Sequence, residues 1–204
     1  MLGRHAFFLT AVLLVVSCGG RESGGPISEP ADTRPVFSLV GLASTTWVQD
    51  CRDLTERKRS MRETVILDDN TFAIKSEYFD GFACTEGLKR STFHDRRKKV
   101  FKDNLEKIPG WTTYSCKVDA VTMMLHQQRL VAIYNDYKAF GLQGWELNVD
   151  KNVSGLAFDA ESDKELASGA NLERTILVED NKLYFANYEG DVPVANKERP
   201  FTRL

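Results

Sequence analysis

Arg62–Asp80 reads RETVILD-DN-TFAIKSEYFD. Arg62 to Asp68 is an apolar-rich run, Asp69-Asn70 is a turn pair, and Thr71 to Asp80 alternates. Phe72, Ile74 and Tyr78 fall on one face, Ala73, Lys75 and Glu77 on the other. Successive side chains of a strand point to opposite faces, so a period of two predicts a half-buried antiparallel hairpin. Asp and Asn tolerate the left-handed backbone that a tight turn needs. Asp68, Asp69 and Asn70 also invite a calcium reading, but the glycine and distant glutamate of a calcium loop are missing. The hairpin turn accounts for them without a metal.

The same pattern recurs outward from this stretch. Arg174 to Glu179 (RTILVE) runs into Asp180-Asn181, and Lys182 to Tyr188 (KLYFANY) returns. Thr112 to Leu125 and Gly144 to Gly155 read as further strands. Leu125 to Lys138 places Leu130, Ile133, Tyr134 and Tyr137 at helical spacing, which favours one short helix over a strand followed by a turn. Many strands, one apolar face per strand and few helices predict an all-β, mainly antiparallel domain, closed as a barrel or stacked as a sandwich. Closure removes exposed edges and is the simpler expectation. Trp47 is expected to plug one end, Trp111 to sit at a loop tip after Pro109-Gly110, and Trp145 to start a strand and pack in the core.

The N-terminus carries a different signal. Met1 to His5 is short and holds Arg4, and Ala6 to Val16 is an apolar run too short to span a bilayer. Val15-Val16-Ser17-Cys18 and Gly19 follow, and this order resembles the signal peptide and lipobox of bacterial lipoproteins. The resemblance implies removal of residues 1–17 and a diacylglycerol and acyl chain, commonly palmitate, on Cys18. One acyl chain holds a membrane only marginally, whereas two or three anchor durably. Asp at position 19 would imply the inner membrane of a Gram-negative host; Gly19 implies an outer membrane lipoprotein, facing the periplasm or the surface. The processed chain has 26 Lys and Arg against 29 Asp and Glu, a net charge of -3. Gly19 to Pro35 (GGRESGGPISEPADTRP) buries too little apolar area to offset chain entropy, so 18–35 is expected to be a flexible linker. The folded domain is expected over 36–204.

Within that domain, Thr46-Trp47-Val48, Cys51, the hairpin, and Tyr78-Phe79-Asp80 before Cys84 form an ordered series. Lys182-Leu183-Tyr184-Phe185, Gly190-Asp191 and Arg199-Pro200 extend it. Together they resemble a lipocalin-like group of small bacterial lipoproteins over most of residues 44–200. Lipocalins proper carry Gly two residues before the Trp, where this chain has Thr45. The resemblance implies a small lipocalin-like β-barrel in the cell envelope, and it implies no activity. It also implies a disulfide between Cys51 and Cys84, and the intervening hairpin returns the chain toward its starting strand. Cys116 is left over and is expected to be a buried, inert thiol.

No catalytic residue and no metal or other cofactor is expected. His94 and His126 are the histidines left after processing, and no CxxC, HExxH, GxSxG or phosphate-loop pattern occurs. The near-neutral charge argues against nucleic acid as a partner. Arg96, Arg97, Lys98, Lys99 and Lys102 cluster in HDRRKKVFK. They read as a solvated strand end or loop, or as a patch for anionic partners such as lipid A phosphates, surface polysaccharide or an acidic protein. The composite expectation is a non-catalytic, membrane-anchored binding module that holds a small apolar ligand or presents loops to an envelope protein. The alternative is a structural or adhesion lipoprotein with a filled barrel, acting through its surface.

Overall fold

The computed structural model describes residues 44–68, 70–99, 110–162, 164–190 and 192–204. The expectations for 1–17, Cys18, the linker and Lys102 fall outside them. Among the described residues eleven strands and one α-helix form in the order β1 (Thr45–Gln49), β2 (Arg52–Leu54), β3 (Arg59–Leu67), β4 (Thr71–Asp80), β5 (Lys89–Lys99), β6 (Trp111–Leu125), α1 (Gln128–Asp136), β7 (Asp150–Asn152), β8 (Asn171–Glu179), β9 (Lys182–Glu189), β10 (Val192–Ala195) and β11 (Phe201–Arg203).

The domain is mainly antiparallel β and its strands form a ring. Around it run β1, β3, β4, β5, β6, β8, β9 and β11, with β11 pairing back to β1. Strands β2, β7 and β10 extend β3, β6 and β9. Closure pairs both edges of the sheet, so the ring has no continuous free edge. Both predicted hairpins form. Asp68 carboxylate oxygens accept from the Asn70 and Thr71 amides at 2.9 and 2.6 Å and from Thr71 Oγ1 at 2.5 Å. That is the local turn chemistry of aspartate. In the β8–β9 turn Asp180 and Asn181 take φ of 50° and 58°, as a two-residue hairpin turn with both centres left-handed requires.

The interior divides into two apolar clusters. The first gathers Trp47, Val65, Leu67, Phe72, Tyr114, Ile176, Leu183 and Phe201 at one end of the barrel. Trp47 is 1% exposed there, as a plug would be. The second joins Val121, Met123 and Leu125 of β6 to Leu130, Val131, Phe140 and Trp145 of the long β6–β8 connection. One strand serves both clusters because β6 is bulged. Arg96 faces Ala120 while Arg97 faces Val118, so Asp119 is an extra residue. Before it Tyr114, Cys116 and Val118 are buried; after it Val121, Met123 and Leu125 are. An inserted residue exchanges the two faces of a strand.

Several expectations change in the β6–β8 connection. The helix forms, but it buries Leu130 and Val131, with Tyr134 packed against them, while Ile133 is 39% and Tyr137 82% exposed. The apolar stripe is therefore rotated by about one residue from the predicted face. Gly144–Gly155 is not one strand: only Asp150–Asn152 pair as β7, and Gly144, Asn148 and Gly155 take positive φ. Trp145 packs in the core as expected but from irregular chain. Its amide donates to Asn135 Oδ1 at 2.8 Å, its carbonyl accepts from Asn135 Nδ2 at 3.0 Å, and Tyr134 meets its ring edge-on at 5.2 Å. Trp111 opens β6 and is half-buried. A side-chain clamp substitutes for the backbone ladder that a strand would have supplied.

A separate small core lies on the outer face of β3 and β4. Cys51 and Cys84 are joined in a disulfide across 33 residues. The Cys84 amide donates to the fully buried Ser60 Oγ at 3.0 Å. Phe79 is fully buried beneath the Arg62 and Lys89 cations, each 5.6 Å from its ring centre. Beside it Glu77 is buried and bound by Lys89 at 2.7 Å, Lys75 at 2.9 Å and Arg62 at 2.9 Å. Burial pushes the Glu77 carboxyl up, but the three cations outweigh it and hold it at about 2. A depressed carboxylate pKa contributes stability above the unfolded value, and that stability is lost as pH falls. Urea midpoints are therefore expected to drop as pH falls from 4.5 toward about 2. Glu77→Gln should flatten that dependence and cost about 2 kcal/mol at neutral pH. An unchanged slope in the variant would assign the acid sensitivity elsewhere.

Candidate ligand cavity

Strand alternation divides the predicted basic cluster. Arg96 and Lys98 point outward, 54% and 69% exposed at their side chains, and both pair with Asp119, at 3.4 and 3.2 Å. Arg97 is 2% exposed and points inward, its guanidinium 5.5 Å from the Phe72 ring centre. Lys99 shares that face, 5.1 Å from the Tyr114 ring centre, and donates to the Asp68 carbonyl. Arg97 therefore belongs to the barrel interior and leaves the surface patch. The physical reason is the period of two, which sends neighbouring cations of one strand to opposite sides.

The inner face of β5 also carries Phe93 and Asp95. Asp95 accepts from Arg97 Nε at 3.0 and 3.1 Å and from Arg97 Nη2. Above this pair lies a cavity of about 280 Å³. Strand β3 contributes Glu63, β4 contributes Ile74, Ser76 and Tyr78, β5 contributes Phe93 and Asp95, and β6 contributes Val121. The β6–β8 connection contributes Glu165 and Leu166. Tyr78 and Phe93 meet edge to face at 6.0 Å.

The lining is acidic. Ser76 Oγ donates to Glu63 Oε1 at 3.3 Å. Neither Glu63 nor Glu165 has a cationic partner among the described residues. Burial, with the Asp95 carboxylate adding to it, pushes the Glu165 carboxyl up. Burial, with Glu63 next, does the same to the Tyr78 phenol. Among the described residues no group of three His, Cys, Asp or Glu side chains converges to hold a metal ion.

Cys116 is free and buried on the inner face of β6. Burial raises its thiol pKa against the lowering effect of Arg97, Lys99 and Arg174. A thiol so held ionises less readily, and its reactivity as a nucleophile falls with the thiolate. His126 is taken up by Asn148 at 2.8 Å and Thr92 at 2.9 Å. His94 is half-buried, and burial, with Arg96 next, lowers its pKa.

Sequence reading did not single out Glu63, Asp95 or Glu165 as a group. The one signal available was that Asp95 lies two residues from Arg97, on the same strand face. Glu63 and Glu165 are brought to it only by strand pairing and by the folded connection. No protein-family model matches the chain, and no curated protein matches it.

Proposed function

We propose that this chain is a non-catalytic binding module of the bacterial envelope, held at the outer membrane by acyl chains on Cys18, whose lipocalin-like barrel carries a small ligand. The observation that carries the reading is the cavity of about 280 Å³ with two carboxylates, Glu63 and Glu165, that no cation among the described residues meets. Ligand pockets combine an apolar wall with a few placed polar groups, and small ones begin near about 300 Å³. Ile74, Phe93, Val121 and Leu166 supply the wall, and the carboxylates, Ser76 and Tyr78 the polar groups. Burial and the Asp95 carboxylate push the Glu165 carboxyl up, so the lining favours a ligand that brings positive charge or hydrogen-bond donors over a wholly apolar one.

Native mass spectrometry of the full chain, extracted in detergent from its own host, tests both halves of the proposal. The chain is expected to begin at Cys18 with the mass of two or three acyl chains, and Cys18→Ser is expected to remove that mass. A reproducible noncovalent mass, released by solvent, is expected beside it. A chain without that mass overturns ligand carriage and favours a structural lipoprotein acting through its surface.

A further inference from the structure

Strand register sets part of the cavity lining out as a row. Glu63 pairs with Ser76, and Ser76 with Phe93, so a carboxylate, a hydroxyl and an aromatic ring follow one another across three strands. Neighbouring strands lie about 4.8 Å apart, which sets the carboxylate and the ring roughly 10 Å apart at the backbone. Ile74 and Tyr78 flank Ser76 on the same face of β4. Three carboxylates line the space, and among the described residues no lysine, arginine or histidine does. Asp95 is already answered, since Arg97 donates to both of its oxygens. Glu63 accepts from Ser76 through Oε1, and Oε2 meets no protein donor among the described residues. The Glu165 amide donates to the Leu156 carbonyl at 2.9 Å, which holds that residue in place, but its carboxylate has no partner there. Carboxylates alone would make no site. Here they stand beside an apolar wall in a space of about 280 Å³. An apolar cavity of about 150 Å³ takes benzene, so one ring and a short arm fit.

We infer that the ligand is a small organic amine, a single ring or similar apolar body with an ammonium group on a short arm. The ammonium donates to Glu63 Oε2 and to the Glu165 carboxylate. The body lies against Ile74, Phe93 and Leu166. This rests on the carrier reading above and names the class of ligand. An acid or a zwitterion would bring a carboxylate into a lining that offers it no cation. A neutral ligand of the same shape would forgo the charge-assisted hydrogen bonds. A bare metal ion would leave the apolar wall uncovered, and no three ligating side chains converge among the described residues. Tyr78 and Phe93 add to the selection, because aromatic faces attract ammonium groups.

Isothermal titration calorimetry on the full chain, dialysed exhaustively in detergent, tests this with three probes of one skeleton: 2-phenylethylamine, 2-phenylethanol and 3-phenylpropanoate. The amine is expected to bind at least about tenfold more tightly than the alcohol, the size of one charge-assisted hydrogen bond, and the acid more weakly than both. Neither Glu63 nor Glu165 is paired with a cation among the described residues, so neutralising them breaks no ion pair of the fold. Glu165→Gln, checked for an unaltered thermal unfolding profile, is expected to narrow the ratio of amine to alcohol affinity. Glu63→Gln together with Glu165→Gln is expected to abolish it. Equal affinity for amine and alcohol in the parent chain overturns the amine and leaves ligand carriage standing. A ratio unchanged in the double variant overturns it also, since the ammonium would then meet another group. Heat from none of the three overturns it as well, and a co-purified mass then decides carriage separately.

Discussion

Asp95→Ala is expected to destabilise the domain by about 3–5 kcal/mol, read as a fall in the urea midpoint at constant slope. The variant leaves the Arg97 guanidinium, 2% exposed, without its carboxylate. The cation is buried over the Phe72 ring, where water solvates it poorly. Asp95→Leu combined with Arg97→Met should recover most of the loss, because a buried pair replaced by apolar groups of similar volume is close to neutral. The two positions are in direct contact, so their effects should be strongly non-additive. Additive losses would mean that each residue contributes through packing alone, and that the ion pair has no part in organising the barrel interior.

Cys51→Ala with Cys84→Ala is expected to cost about 3–4 kcal/mol, the chain-entropy value for a loop of this size. The disulfide spans 33 residues and closes the β3–β4 hairpin onto the strand before it. It also holds a strained segment, since Ala83 and Cys84 both take positive φ, at 64° and 46°. That segment is otherwise held by single bonds, among them the Ala83 amide to Asp53 at 3.1 Å and the Cys84 amide to Ser60. Hydrogen exchange should therefore accelerate first over residues 81–88, ahead of the barrel strands. Uniform acceleration across all strands would instead make the disulfide a support of the whole ring. Removing the thiol at Cys116 offers the contrast: Cys116→Ser places a hydroxyl among apolar neighbours and should leave the 81–88 segment unaffected.

The alternating stretches carried the fold. Thr71–Asp80 and Lys182–Tyr188 announce strands because backbone geometry alone sets a period of two, and the Asp/Asn pairs announce their turns for the same local reason. The Cys51–Cys84 disulfide, implied by the family resemblance, is formed. The helix was legible in its existence but not in its buried face. Leu130, Val131 and Tyr134 turn inward because the connection ending at Trp145 packs on that side. Gly144–Gly155 misled because Trp145, Leu147 and Val149 alternate with polar residues, a pattern that a packed loop can show as well as a strand.

The cavity belongs to another level. Arg96-Arg97-Lys98-Lys99 is one basic run in the chain, yet Arg97 is buried, and what makes its burial tolerable is Asp95 beside it and Phe72 across the β4–β5 ladder. Asp119 shifts the register of β6 and so decides which of its residues face the core. Glu63 and Glu165 are about a hundred residues apart, and only the closed ring and its folded connection bring both to one cavity. The amino-acid sequence by itself determined the strands, their turns and the mainly antiparallel class, because those follow from local periodicity. Tertiary structure alone decided which charges lie inside, because the cost of burying a charge is met by partners that lie on other strands.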